Sequence, residues 1–227
     1  MAKLNQKILG KVSGSLGDIT FRQRKGKNYI ASRPSKFNAP QDKISLDRRS
    51  RFALAVKIAS IINSIPQLRA AWTPKVPADS TLYNYLVKTN YKSVDPDTIN
   101  ENTYLTPPYG FGVSLISANI TSENIAVEVG PIGTRAGIDL EIEKYIQLFS
   151  LLCLSEPSNE NFDKTFLVSL ISSSQILTLD TQITVTLPLS SQVSEMFIKY
   201  NTKKALFGFV TLDTEGNSIH YSNTFIK

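Results

Sequence analysis

Residues 205–225 read ALFGFVTLDTEGNSIHYSNTF, and this stretch decides the fold. A β-favouring run over 205–212 meets Asp213-Thr214-Glu215-Gly216, and a second run follows over 218–225. An aspartate that bonds its own backbone and a glycine that tolerates positive φ make a turn, so the segment predicts a hairpin. The same texture extends backwards. Short runs over 112–118, 125–129, 145–154, 165–171 and 183–187 alternate with Ser, Asn, Asp, Gly and Pro. Such spacing predicts an Ig-like β-sandwich over 109–227. Pro107-Pro108 marks its expected boundary.

Before that boundary the period changes from two to about 3.6. The spacing predicts a helix over 45–64, with Phe52, Ala55, Val56, Ala59 and Ile62 as its apolar stripe. Arg48, Arg49 and Arg51 sit in its early turns, where the macrodipole disfavours cations, so these arginines read as contact residues. Pro66 opens a second helix ending near Trp72. Asp79 or Ser80 is the expected cap of a third, over 82–88, which leaves Tyr83 and Asn84 off its apolar face.

The first 40 residues differ again. Gly10, Gly14 and Gly17 oppose a helix. Ile19-Thr20-Phe21-Arg22 and Tyr29-Ile30-Ala31 read as strands joined by a turn at Arg24-Lys25-Gly26-Lys27, and Arg33-Pro34 ends the second. The expected fold class is therefore mainly β with α. A basic arm and hairpin occupy 1–40, a helical region 41–108, and the sandwich 109–227.

Charge divides the chain sharply. Residues 1–75 carry 16 Lys and Arg against 3 Asp and Glu, whereas residues 76–227 carry 9 against 16. A segment this basic meets a polyanion or an acidic protein surface, including that of a neighbouring copy. A hydrophobic share of 41% supports a real core. The one cysteine, Cys153, excludes an internal disulfide framework or a cysteine-cluster metal site and fits a reducing compartment. No apolar run reaches the roughly 18 residues of a membrane span, and the start lacks the apolar stretch of a signal peptide. The expected location is the cytoplasm during synthesis, and a virion if the chain is phage-encoded, with no membrane contact.

Three segments carry a resemblance. They are Gly10 to Pro34, closing on Ala31-Ser32-Arg33-Pro34; Arg49-Ser50-Arg51-Phe52-Ala53-Leu54-Ala55-Val56; and Phe207-Gly208-Phe209-Val210 through Asp213, Gly216 and Ser222-Asn223-Thr224. Together they resemble an uncharacterised family of small proteins from Bacteroidota and their phages, described only as a domain of unknown function. The resemblance implies a basic N-terminal region joined to an Ig-like β domain and a phage setting. It implies no activity, and residues 109–160 match only in texture.

Candidate sites follow from side-chain chemistry. Gly10-Lys11 with Gly14 and Gly17 lacks the order a phosphate-cradling loop needs. His220, the one histidine, falls in an expected strand with no partner signalled nearby, and Cys153 reads as a small buried apolar residue. Asp139, Glu141 and Glu143 alternate, so a strand would place three carboxylates on one face, read as a solvated acidic surface or one that meets the basic arm. The weight falls on Arg22, Arg24, Lys25, Lys27, Arg33, Arg48, Arg49 and Arg51, interleaved with Phe21, Tyr29 and Phe37. These are the expected inter-subunit or nucleic-acid contacts. No cofactor and no catalytic residue are expected. The chain reads as a non-enzymatic structural or assembly protein, such as a phage connector or ring component. Its partners would be further copies of itself and other virion proteins. A nucleic-acid-binding accessory protein is the first alternative, an Ig-like adhesive or carbohydrate-binding module the second.

Overall fold

The computed structural model describes residues 2–3, 14–24, 27–32 and 39–227. The chain divides into two compact units, Met1–Lys43 and Ile44–Lys227.

The first unit is an antiparallel sheet of β1 (Ala2–Lys3), β2 (Gly14–Leu16), β3 (Ile19–Arg24) and β4 (Lys27–Ser32), in the order β1-β4-β3-β2. The expected hairpin is β3–β4, with Arg22 opposite Tyr29 and Arg24 opposite Lys27. Gly17, at φ 54°, supplies the left-handed residue in the turn from β2 to β3, so no helix starts there. None of the described side chains in this unit is buried, and Leu16 is 73% exposed.

The second unit opens with α1 (Lys43–Ser64), α2 (Pro66–Trp72) and α3 (Leu82–Tyr91). Ile65, in extended geometry, precedes Pro66 at the start of α2. The cap of α3 is Thr81, whose Oγ1 accepts from the Asn84 amide at 3.3 Å, in place of the expected Asp79 or Ser80. The apolar stripe of α1 also needs correcting. Leu54, Ala55, Ile58, Ala59 and Ile62 are buried, whereas Val56 is half-buried and Phe52 is 55% exposed. The buried face is rotated by roughly 60° from the one expected, at 3.6 residues per turn, which leaves Phe52 on the rim.

Strands β5 (Leu115–Ile120), β6 (Asn124–Val129), β7 (Tyr145–Pro157), β8 (Thr165–Ile171), β9 (Gln175–Ile176) and β10 (Ile183–Pro188) follow. A short helix α4 (Ser191–Ile198), capped by Ser190, precedes β11 (Tyr200–Leu212), β12 (Ser218–Tyr221) and β13 (Phe225–Ile226). A small sheet runs β10-β6-β5. A larger one runs β12-β11-β7-β8, with β13 on β11 and β9 on β7. All strand pairs are antiparallel, so the fold is mixed α+β with β dominant.

Two cores share the large sheet. Ile146, Leu148, Leu152 and Leu154 of β7, with Ala205, Phe207 and Phe209 of β11, face the small sheet. Phe149, Leu151 and Cys153, with Leu206, Val210 and Leu212, face the helices and pack with Ile58, Leu68 and Trp72. Period-two alternation delivers apolar side chains to both faces, so the two central strands read as nearly unbroken hydrophobic runs. The helices form a third layer. Trp72 Nε1 donates to Leu105 O at 2.9 Å, and Thr224 Oγ1 accepts from the Leu105 and Thr106 amides at 3.0 and 2.9 Å. Gly208 makes that seam possible, because a Cβ there would lie 2.5 Å from Thr106 Cγ2.

The residues 139–143 correct a further expectation. They form a turn, not a strand: the Ile142 and Glu143 amides both donate to Asp139 O, at 3.1 and 2.7 Å. The three carboxylates therefore do not share a face. Asp139 and Glu141 are exposed, and Glu143 is buried.

Candidate functional site

The predicted basic contacts fall into two groups. On the first unit, Arg22 and Lys27 are exposed, and their register with Tyr29 puts all three on one face of the β3–β4 ladder. Arg24 pairs in register with Lys27 at the end of the ladder. Lys25 and Arg33 lie outside the described residues, as do Gly10, Lys11 and Phe37. On the second unit, Arg48 and Arg49 are exposed on α1, with Arg49 Nε donating to Ser45 O at 3.3 Å. Arg51 diverges from them. It is half-buried, and its Nε is buried without a hydrogen-bond partner among the described residues.

Arg48 and Arg49 lie one helical turn before Phe52, which is followed one turn later by Val56. Phe52 and Val56 line one wall of an open groove of about 670 Å³ whose other wall is α3. Tyr83, Val87 and Tyr91 repeat at four-residue steps and supply its apolar side; Asn84, Lys88 and Lys92, one position on, supply its polar side. Sequence reasoning placed Tyr83 off the core face but stopped the helix at 88, so Tyr91 and Lys92 dropped out of the row. The four-residue repeat was the signal that would have recovered them.

A second cavity, about 630 Å³, is lined by Lys75, Tyr109, Phe111, His220 and Tyr221 among others. His220 acquires the partner that the sequence did not signal. Its Nδ1 lies 3.0 Å from Glu143 Oε1; the imidazole is 49% exposed and the carboxylate 1%. Glu143 Oε1 also accepts from the Asp139 amide at 2.9 Å, and Oε2 accepts from the Thr211 hydroxyl. Thr211 Oγ1 in turn accepts from the His220 amide at 2.9 Å. The buried carboxylate thus ties the 139–143 turn to β11 and β12. Among the described residues, no serine, threonine, cysteine or carboxylate lines the cavity. At its rim Tyr109 is nearly fully exposed and holds a positive φ of 68°. Beneath it Gly110 approaches the backbone so closely that a Cβ would sit 2.3 Å from Tyr221 O. No cluster of three or more His, Cys, Asp or Glu suited to a metal occurs among the described residues. No helix among them is long and apolar enough to cross a membrane.

Cys153 sits in the second core, fully buried, as its sequence context implied. Burial pushes its thiol from the ordinary 9.0 up to about 11, against a smaller opposing pull from the Ile99 backbone and the Lys204 ammonium.

No family model matches the chain. No curated protein matches it either. Solved structures similar to part of it include the selenomethionine-labelled beta-glucosidase from Kluyveromyces marxianus, at 12% identity and a TM-score of 0.19. That match covers 54% of this chain and 14% of the glucosidase, and a likeness this slight carries no argument about fold or chemistry.

Proposed function

We propose that this chain is a non-enzymatic assembly protein whose basic N-terminal unit contacts an acidic surface outside its own fold. A phage connector or ring component is the concrete form, in keeping with the family resemblance of its sequence. The observation that carries the proposal is charge combined with exposure. Residues 1–43 hold 10 Lys and Arg against 2 Asp and Glu, and none of their described side chains is buried. Ordering a residue costs about 1–2 kcal/mol of conformational entropy, and a small sheet needs a covered apolar face to offset it. A sheet that exposes Leu16 and Ile19 gains that cover from a partner. Residues 76–227, with 16 acidic against 9 basic side chains, make a second copy a suitable one. The face-to-face packing of the second unit's small and large sheets around the first core supports the Ig-like reading of 109–227.

Sedimentation velocity on the full chain and on Arg22→Glu/Lys27→Glu tests the proposal. The expected result is a discrete oligomer that weakens as salt rises and is lost on charge reversal. A chain that is monomeric at every attainable concentration contradicts it. A second reading, single-stranded nucleic-acid binding, is favoured by Phe52, Tyr83 and Tyr91 beside Lys88 and Lys92. Its mark is retention of unrelated oligonucleotides that falls steeply with salt.

A further inference from the structure

We infer that the groove between α1 and α3 receives the 139–143 turn of a second copy. The inference rests on the assembly reading and adds a contact independent of the N-terminal unit. The groove pairs an apolar wall with a cationic border. Phe52, Val56, Tyr83, Val87 and Tyr91 offer hydrophobic surface; Lys88 and Lys92 on α3 offer positive charge, and the exposed Arg48 and Arg49 stand one helical turn before Phe52 on α1.

The turn has the complementary composition. Leu140 and Ile142 are 43% and 54% exposed, flanked by the exposed carboxylates of Asp139 and Glu141. One cation, Lys144, stands at its base, where its Nζ donates to Leu140 O at 2.8 Å. The turn is also held in shape before any contact. Asp139 Oδ1 accepts from the Glu141 amide at 2.9 Å, and buried Glu143 anchors the Asp139 amide at the same distance. A rigid projection loses little entropy on docking. Two aliphatic side chains and two carboxylates thus face an aromatic groove bordered by cations, which matches both polarity and charge. Both surfaces are exposed in a single chain, so neither covers the other within it. A contact joining two different surfaces of identical copies is head-to-tail, and it closes into a ring or extends as a filament.

Sedimentation velocity on full-length protein tests this with a groove variant, Phe52→Glu/Lys88→Glu, and a turn variant, Glu141→Lys/Ile142→Lys. Circular dichroism verifies folding; should the groove pair fail to fold, Arg48→Glu/Lys92→Glu replaces it. Each variant alone is expected to associate at least about tenfold more weakly than the parent chain, the effect of losing one anchor of 1.4 kcal/mol. An equimolar mixture is expected to regain association, because one copy brings an intact turn and the other an intact groove. Unchanged association in both variants, or a mixture no tighter than its components, overturns the inference. If only Arg22→Glu/Lys27→Glu disrupts the oligomer, this contact falls and the assembly reading stands. If only the groove and turn variants disrupt it, this contact stands and the role of the N-terminal unit falls. A parent chain that never associates removes both. Oligonucleotide retention abolished by the groove variant, with self-association untouched, gives the groove to nucleic acid and also overturns the inference.

Discussion

Cys153 illustrates how a single buried group ties stability to pH. In the fold the thiol keeps its proton up to about pH 11, while in the unfolded chain it ionises near 9.0. Between those values the unfolded state binds fewer protons, so stability falls as pH rises through that window and is unaffected below it. At about 1.4 kcal/mol per unit, the loss attributable to this group reaches roughly 2–3 kcal/mol. Urea unfolding at pH 8 and pH 10.5 measures it: the parent chain is expected to lose more stability between the two than Cys153→Ala, and equal losses would contradict the assignment. Residue-scale reading succeeded where burial alone was at stake. Leu151-Leu152-Cys153-Leu154 is apolar on both sides, and the thiol behaves as a small hydrophobe. It failed for His220 and Glu143, which are 77 positions apart and meet through a single hydrogen bond. Nothing local in either segment encodes that contact.

Among the elements, hairpins and helices were legible wherever a local rule applied. Asp213 accepts from the Glu215 and Asn217 amides, both at 2.8 Å, and closes the β11–β12 turn that its sequence announces. Its carboxyl is held below the usual carboxylate range, first by the Asn217 side chain and then by these amides, so acidification below that range loosens the turn. Elements were missed where tertiary packing decides. In α4 only Val193 is buried, so eight residues give too weak a period to read. The acidic alternation at 139–143 resembles a strand, yet Glu143 turns inward to satisfy three donors that link the turn, β11 and β12. Removing that carboxylate leaves the Asp139 amide and Thr211 hydroxyl without their acceptor. Glu143→Ala is therefore expected to lower unfolding free energy by about 2–4 kcal/mol, whereas His220→Ala, at a half-exposed site, is expected to cost about 1 kcal/mol. Equal and small effects in denaturant titrations would show that the network carries no stability.

Across the whole molecule, the division of charge is the sharpest asymmetry in the sequence. Residues 44–227 are close to neutral, with 15 basic against 17 acidic side chains, so the excess of positive charge belongs to residues 1–43. The two cores of the second unit account for its order without outside help. The first unit has no comparable cluster among its described residues, which is why a partner is proposed to cover it. The β-rich character and the three-helix prelude were both legible, because they depend on local period and punctuation. The sharing of one sheet between two cores was not, because β7 and β11 read the same whether one face or both are covered. Amide hydrogen exchange across Ile19–Ser32, followed as a function of protein concentration and salt, tests the central claim most directly. Protection in β3 and β4 is expected to grow with concentration at low salt and to vanish in dilute, high-salt solution. Full protection of these strands in a solitary monomer at high salt would contradict it.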